Sequence, residues 1–373
     1  MPARAHLRAA AGQTIIMGFS GAQMSPGLRS LLREIQPGGV ILFARNIQTP
    51  QQTWELLHDC AAQVTTPILT CVDMEGGKVD RLRNALAPSP SAADVFSTGD
   101  KKLFRKHGRI IGEAVRAFGF NTDFAPVLDL AFGASRSALA SRAVSADPKQ
   151  ASTYAREFLA GLWKAGVLGC GKHFPGLGEG KLDSHYEQPI IEKSWKKLWA
   201  EDLLPYRKLR SDLPLVIVGH AAYPAITRDH TPASLSQKII GEVLRKKIGY
   251  RGLVLSDDLD MGGVLAGRSV AEAAVDSLRA GCDAFLVCQK QENVLPAWEA
   301  VVREAERDRK FAKQVGKASQ RVLKFKRKAL AHRREVPPKR AVIERLGREL
   351  WELGEQVRIA GINRPGNHGE ESE

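Results

Sequence analysis

Residues able to transfer protons are concentrated in one glycine-rich stretch near the middle of the chain. Residues 169–185 read GCGKHFPGLGEGKLDSH. The apolar run 165–170 leads into this stretch, so we predict a strand that ends in Lys172 and His173 and opens into a loop with Asp183 and His185. Glycine and proline let a backbone pass close to a ligand. A polar surface turn is the alternative, but ionisable residues on such a loop favour a functional site.

These residue types suit acid–base and nucleophilic chemistry on a sugar. A glycosidase needs a carboxylate near the anomeric carbon and a proton donor near the leaving oxygen. Asp257 follows the apolar run 252–255 and is the candidate nucleophile at a strand end. His185 is the candidate donor, because an imidazole with a pKa of about 6.5 can give and take a proton near neutrality. Asp183 could hold that imidazole in the useful tautomer.

A metal-dependent hydrolase is the main chemical alternative. Zinc could be bound by side chains spread over several predicted loops, namely His173, Asp183, His185, His220 and Asp257. The chain has no HxH after its first predicted strand and no HExxH motif, so we expect neither a metal ion nor a cofactor. For His220, a hydrogen-bonded role is as compatible with the sequence as a direct one.

Eight strand-like apolar runs alternate with helical patterns along the chain. They lie at residues 14–19, 39–43, 67–72, 121–125, 165–170, 214–218, 252–255 and 283–288. Continuous Val, Ile and Leu runs between helices indicate a parallel sheet that is covered on both faces. Eight such units in about 300 residues predict an α/β fold of the (β/α)8 TIM-type barrel class.

The positions of the polar residues also favour a barrel. Several of them come near the carboxyl end of a predicted strand: Asp73, Lys172, His173, His220 and Asp257. The strand ends of a barrel meet at one mouth, where active sites are built. An open doubly wound sheet would not bring all of them together, and the first βα turn lacks GxGxxG.

A series of motifs between residues 39 and 261 carries a family resemblance. The stretches are GVILFARN (39–46), DMEGGKVDRL (73–82), GFNTDFAPVLDL (119–130), SRAVSADP (141–148), KHFPG with DSH (172–185), GHAAYPAI (219–226), PASLS (232–236) and SDDLDM (256–261). In this order the chain resembles glycoside hydrolase family 3, in its single-domain β-N-acetylhexosaminidase form. The resemblance implies release of β-linked N-acetylglucosamine with retention of configuration. It also implies a role in peptidoglycan recycling, with muropeptides as the substrate class.

The resemblance assigns a role to each candidate site residue. Asp257 matches the nucleophile that forms a glycosyl-enzyme intermediate, His185 matches the acid/base, and Asp183 matches its partner. The residues that match holders of the sugar hydroxyls and acetamido group are Asp73, Arg81, Arg142, Lys172 and His173. Asp129, in the PVLDL run, is expected to brace the barrel instead.

The chain departs from the family pattern in the loop itself. Relatives commonly read KHFPGHGDT, whereas this chain has Leu177, Glu179 and Gly180 in place of the second histidine, the aspartate and the threonine. Gly180 would make the loop more flexible. Val144 replaces an aromatic residue near Arg142. These changes preserve the predicted catalytic residues and bear on loop closure, rate and aglycone preference.

Charge and cysteine usage indicate the setting of the protein. The net charge is +14, and residues 301–340 hold 15 Lys and Arg against 4 Asp and Glu. A basic helix at 317–334 could bind RNA or an acidic surface, but no nucleic-acid motif accompanies it, so we expect a solvated helix and no nucleic-acid partner. No run of about 18 apolar residues exists, so no membrane span is expected. Five scattered cysteines without a CxxC pair indicate free thiols and a cytoplasmic location.

One catalytic domain, residues 1–335, is predicted, with a basic C-terminal helical extension. Residues 336–373 are expected to form a charged amphipathic helix at 339–358 and a polar tail. The tail at 363–373 has the composition of a disordered segment. The expected oligomeric state is a monomer, and the expected ligand is a saccharide or muropeptide that contains N-acetylglucosamine.

Two other functions remain open at this point. Family members that use a histidine can transfer the glycosyl group to phosphate instead of water, which would make the chain a phosphorolytic β-N-acetylglucosaminidase. The second is a catalytically weak barrel that binds muropeptides, or an acidic partner through its basic helix.

Overall fold

Parallel strands curve around the centre of the protein in the computed structural model, which describes residues 2–132, 139–180, 187–265, 267–331 and 336–362. The strands are β1 (Ile15–Met17), β2 (Gly39–Leu42), β3 (Leu69–Val72), β4 (Met74–Gly76), β5 (Val79–Asp80), β6 (Thr122–Asp123), β7 (Cys170–Phe174), β8 (Leu215–Val218), β9 (Leu253–Asp258) and β10 (Ala284–Val287). All except β4 and β5, which form an antiparallel hairpin, belong to one sheet.

The eight-stranded sheet nearly closes on itself. Its strand order is β6-β3-β2-β1-β10-β9-β8-β7, and the neighbouring strands pair in parallel. Two isolated parallel bridges, Thr122 with Leu168 and Val127 with Lys172, connect the β6 edge to the β7 edge. The predicted (β/α)8 barrel is therefore confirmed.

Helices cover the outside of the barrel. They are α1 (Pro2–Gln13), α2 (Pro26–Ile35), α3 (Pro50–Ala61), α4 (Ala92–Ser97), α5 (Lys101–Ala117), α6 (Pro148–Lys164), α7 (Trp195–Ala200), α8 (Leu203–Leu209), α9 (Pro224–Thr227), α10 (Lys238–Lys247), α11 (Gly262–Leu265), α12 (Val270–Ala280), α13 (Val294–Arg307), α14 (Arg309–Leu330) and α15 (Arg340–Ile362). Local chemistry fixes several of their ends. Asp147 caps α6 just before Pro148, and Ser269 and Glu272 form a capping box at the start of α12.

Two predicted boundaries are wrong. The fifth strand is Cys170–Phe174 instead of 165–170, because α6 runs up to Lys164 and Gly166 turns the chain with φ of +77°. Lys172 and His173 therefore lie within the strand. The sequence pattern of residues 194–210 predicts one helix, but these residues form two, α7 and α8, since Glu201 leaves the helical region with φ of −110° and ψ of −89°.

The C-terminal helix α15 packs against the barrel. Leu346, Leu350 and Leu353 recur at helical spacing and are fully buried in the core that includes α5. Beside them, Arg109 on α5 lies 2.6 Å from Glu349 on α15. Residues 363–373, predicted to be disordered, lie outside the described part of the chain. Among the helices that the structure describes, none is long and apolar enough to cross a membrane.

Candidate active site

A cavity of about 160 Å³ opens at the carboxyl ends of the barrel strands. Six of the eight residues predicted for the site line it: Asp73, Arg81, Arg142, Lys172, His173 and Asp257. They come from β7, β9, the hairpin after β3 and the loop before α6. The parallel sheet brings these distant segments to one mouth, as the barrel prediction requires.

Lys172 and Arg142 form a buried charge network with two carboxylates. Lys172 Nζ donates to Asp73 Oδ1 over 2.7 Å and lies 2.6 Å from Glu75 Oε1. Arg142 donates through Nε and Nη2 to the two oxygens of Glu75, at 2.8 and 2.9 Å. Two cations thus balance two carboxylates, and a partly exposed Asp73 carboxylate remains at the cavity wall.

Glu75 belongs to this network and was not among the predicted site residues. Burial acts to raise the pKa of Glu75, but the charges of Arg142 and Lys172 outweigh it and hold the pKa well below the usual range. Burial acts to lower the pKa of Lys172, but the carboxylates of Asp73 and Glu75 raise it above its ordinary value. The sequence signal that could have indicated Glu75 is its position two residues after Asp73 and directly before two glycines, where the chain reverses direction.

Two glycines make that turn possible. Gly76 and Gly77 have φ values of +86° and +57°, which other residues rarely adopt. A Cβ on Gly76 would lie 2.2 Å from the carbonyl oxygen of Pro90. The β4–β5 hairpin therefore depends on glycine, and it places Glu75 in the network and brings Arg81 to the cavity wall.

His173 is held in a fixed orientation by a buried aspartate. Its Nδ1 lies 2.6 Å from Asp129 Oδ2, and Asp129 also accepts a hydrogen bond from the backbone N–H of Leu177 over 2.8 Å. Asp129, expected to brace the barrel, thus connects β7 to the first part of the glycine-rich loop. The bond at Nδ1 leaves Nε2 as the ring atom available to a ligand.

Asp257 has the electrostatic setting of an ionised carboxylate. Burial raises its pKa, but the fields of His173, His220 and Lys172 lower the pKa below the ordinary value. One carboxylate oxygen accepts the backbone N–H of Asp258 over 2.9 Å.

His220 is fully buried, with Nδ1 2.8 Å from Ser234 Oγ and Nε2 2.9 Å from the carbonyl oxygen of Asp258. The hydrogen-bonded interpretation of His220 therefore fits the structure.

Asp258, the next residue, is a second carboxyl group at the cavity wall. Burial, with the nearby charge of Asp260, raises the pKa of Asp258 to about 7. Its Oδ1 accepts backbone N–H groups from Cys288 and Asp260, at 2.9 and 3.1 Å. These bonds hold the carboxyl group against the β10 end of the barrel.

Arg81 has unused hydrogen-bonding capacity. Its Nε is buried without a hydrogen-bond partner, and its guanidinium carbon lies 5.5 Å from the centre of the Phe43 ring. No carboxylate pairs with Arg81 within the residues that the structure describes. A ligand oxygen in the cavity could satisfy this donor.

Asp183 and His185 lie within residues 181–186, which are outside the described part of the chain. Gly180, the last residue before them, lines the cavity. Across the described ranges, no group of three His, Cys, Asp or Glu side chains could hold a metal ion. That finding leaves aside the ligand sets that would include Asp183 or His185.

Comparisons with known proteins identify the family of the chain. The glycosyl hydrolase family 3 N terminal domain matches residues 7–325. A Beta-hexosaminidase of Alkalilimnicola ehrlichii is 38% identical over 287 residues, which cover 75% of this chain and 82% of the relative. A Beta-hexosaminidase of Bordetella avium is 35% identical over 286 residues, covering 74% of this chain and 81% of that protein.

Solved structures give the same result. The family 3 β-N-acetylglucosaminidase from Paenibacillus sp. str. FPU-7 superposes with a TM-score of 0.87 at 29% identity, covering 94% of this chain and 68% of that one. The β-N-acetylhexosaminidase from Beutenbergia cavernae has a TM-score of 0.79 at 26% identity, covering 86% and 98%. The chain therefore belongs to glycosyl hydrolase family 3, and it is a glycoside hydrolase.

Proposed function

We propose that this enzyme is a retaining β-N-acetylhexosaminidase that releases terminal β-linked N-acetylglucosamine. The observation that carries the proposal is the Asp257 carboxylate, which lines a polar cavity and has a lowered pKa. The relatives' names supply the sugar, because both curated relatives are Beta-hexosaminidases. An ionised carboxylate at this position can attack an anomeric carbon in the first of two displacements.

We place the proton donor in the glycine-rich loop. Asp73 and Glu75 are bound by Lys172, and a carboxylate with a lowered pKa, such as Glu75, is a poor donor near neutrality. Asp258 is held by backbone N–H groups. Gly180 lines the cavity, and His185, with Asp183 as its partner, follows Gly180 by five residues in the sequence. We therefore assign the acid/base role to His185.

The reaction then has two steps. In the first, an Asp257 oxygen forms a bond to the anomeric carbon while the bond to the leaving oxygen breaks and His185 transfers its proton to that oxygen. In the second, His185 takes a proton from water, the water oxygen bonds to the anomeric carbon, and the bond to Asp257 breaks. Asp73, Lys172, Arg142 and the donors of Arg81 would hold the sugar in place for both steps.

Peptidoglycan fragments are the proposed source of the sugar, and the cytoplasm is the proposed location. Both proposals rest on the resemblance in the motifs and on the free, buried state of all five cysteines. The test measures how fast the wild-type enzyme releases N-acetylglucosamine from muropeptides that carry stem peptides of different lengths, and from simple chitin fragments. Faster release of N-acetylglucosamine from simple chitin fragments than from every muropeptide would contradict this source.

Catalysis by Asp257 and His185 can be tested with 4-nitrophenyl β-N-acetylglucosaminide. We expect Asp257→Asn to lower kcat by about 10⁴-fold or more, as loss of a nucleophile does. His185→Ala should lower kcat by about 10²- to 10⁴-fold. Asp258→Asn should have a much smaller effect. If Asp258→Asn shows this loss and His185→Ala keeps wild-type kcat, Asp258 is the donor; if Asp257→Asn retains wild-type kcat, the mechanism is wrong. Repeating the assay with phosphate and searching for the 1-phosphate sugar separates hydrolysis from phosphorolysis.

A further inference from the structure

A second buried lysine, Lys193, follows Asp183 and His185 in the sequence, at the end of the loop that carries them. Its side chain is 1% exposed, and its Nζ lies 2.7 Å from Asp202 Oδ2 and 2.9 Å from Glu201 Oε2. A third carboxylate, Glu179, lies 3.3 Å away. Neither the sugar-binding network nor the nucleophile involves Lys193.

Lys193 connects the two limbs of this loop. Glu179 is on the outgoing limb, after β7, and Lys193 is on the returning limb, before α7. Residues 180–192 lie between them, and this interval includes the proposed acid/base and its partner. The ion pair therefore sets the distance between the two limbs at the base of the loop.

Other contacts fix each limb to the barrel. On the outgoing limb, the Tyr223 hydroxyl donates to the Gly176 carbonyl oxygen over 2.6 Å. Gly176 has φ of +138°, and a Cβ there would lie 2.8 Å from Asp202 Cβ, so the backbone packs directly against the partner of Lys193. On the returning limb, the Ile191 N–H donates to the carbonyl oxygen of Ala222 over 2.9 Å.

The surroundings of Lys193 make its ion pairs obligatory. Its Nζ lies 4.2 Å from the centre of the Phe132 ring, which also attracts a cation. Burial acts to lower the pKa of Lys193, but Asp202 and the two glutamates raise it above the ordinary value. A buried ammonium group that loses its carboxylates is strongly destabilised. The charged side chain therefore resists any separation of the limbs.

We propose that Lys193 is a positioning residue that holds the two limbs of the catalytic loop together through Glu179, Glu201 and Asp202. This inference rests on the proposed function, since its effect on the reaction passes through His185. One departure from the family pattern takes part in this contact. Glutamate at position 179 is one methylene longer than the usual aspartate, and its carboxylate lies 3.3 Å from Lys193 Nζ.

The test compares Lys193→Met with Lys196→Met, an exposed lysine in the same segment. The kcat/KM is measured for two β-N-acetylglucosaminides, one with an alkyl aglycone, which needs protonation, and one with a 2,4-dinitrophenyl aglycone, which leaves without it. We expect Lys193→Met to lower the value for the alkyl glycoside by about 10- to 100-fold, and that for the dinitrophenyl glycoside by less than about threefold. Lys196→Met should change neither. An equal loss on both substrates, or no loss, overturns the proposal.

A second readout does not depend on catalysis. Backbone hydrogen exchange at residues 176–180 should become faster in Lys193→Met than in wild type, and should be unchanged in Lys196→Met. If wild type cleaves neither glycoside, the proposed function fails, and this measurement alone decides on the loop. Unchanged exchange in Lys193→Met then overturns the positioning role.

Glu179→Gln provides a variant that is safe for folding, because Glu179 is 40% exposed. It should reduce turnover of the alkyl glycoside in the same selective way as Lys193→Met, by a smaller factor. In the double variant the two losses should not multiply, since both remove one interaction. Independent, multiplying losses would show that Glu179 acts without Lys193 and would overturn the link between the limbs.

Discussion

The two ends of the barrel each contain a buried lysine, and the two lysines have opposite surroundings. At the mouth, Lys172 contacts the carboxylates of Asp73 and Glu75. At the other end, the partners of Lys326 on α14 among the described residues are uncharged oxygens. Its Nζ donates to Gln13 Oε1 over 2.7 Å and to the Gly38 carbonyl oxygen over 3.3 Å. Both side chains are almost completely inaccessible to solvent.

The difference in partners reverses the effect of burial on the pKa. Burial acts to lower the pKa of Lys172, but the carboxylates raise it above the ordinary value, so the side chain stays charged at the cavity wall. Burial without a carboxylate lowers the pKa of Lys326 to about 7. Lys326 extends under the strand starts while Val322, one turn earlier, packs into the barrel interior. The comparison separates a lysine at the proposed sugar site from one that closes the end of a barrel.

The same comparison applies to the basic charge in the C-terminal part of the chain. In α14, Lys326 is buried, and Arg321 pairs with the buried Asp283 near the start of β10. Part of the charge excess thus has an internal structural use. Binding of an acidic partner would depend on the remaining, exposed cations of this helix.

Among substitutions at the two buried lysines and their neighbours, Lys172→Met has the largest expected effect. Removing the ammonium group leaves Asp73 without its ion pair and Glu75 with Arg142 alone, which should destabilise the fold by about 3 kcal/mol. Loss of sugar positioning should also lower kcat/KM by about 100-fold. Steady-state kinetics and urea denaturation measure the two effects. Activity within twofold of wild type would remove Lys172 from the site.

The same substitution at the other end, Lys326→Met, should leave kcat/KM unchanged and alter the pH dependence of stability. The folded pKa of Lys326 is lower than the unfolded one, so wild type loses stability as the pH falls from about 10 to about 7, at about 1.4 kcal/mol per unit of pKa difference. Lys326→Met should lack this part of the slope. Its unpaired acceptors should cost about 1–3 kcal/mol at every pH.

Urea denaturation of both proteins at two pH values in this range measures that slope. Equal slopes in wild type and Lys326→Met would show that Lys326 stays fully charged in the folded protein. A loss of activity like that of Lys172→Met would show that the two ends of the barrel are coupled.

The smallest expected effect comes from Arg321→Gln, at the same end as Lys326. Its carboxylate partner, Asp283, keeps a second ion pair at 2.6 Å to Arg245 and accepts the Val254 N–H over 2.9 Å. Because Arg321 is half exposed, we expect a loss of about 1 kcal/mol or less and unchanged kcat/KM. A loss above about 3 kcal/mol would mean that Arg245 alone does not compensate the buried charge.

Local patterns were sufficient to predict the units of the barrel and most of the described site. Apolar runs and helical patterns located most of the units, and Asp73, Lys172 and Asp257 stood out because polar residues ended those runs. Glu75 did not stand out, since its importance comes from Lys172 and Arg142, which are distant in the chain. The break at Glu201, whose carboxylate lies 2.9 Å from Lys193 Nζ, was also missed.

The roles of Asp183 and His185 stay predictions that rest on the motifs and on the position of Gly180. What the sequence by itself determined is the set of alternating units, the class of fold, the family and the residue types at the mouth. Only the tertiary structure decided which charges pair, because ion pairs join segments whose separation along the chain carries no signal. It therefore showed that Lys172 lies between two carboxylates, that Lys326 has none among the described residues, and that Lys193 pairs with Glu179 in the loop with which the sequence began.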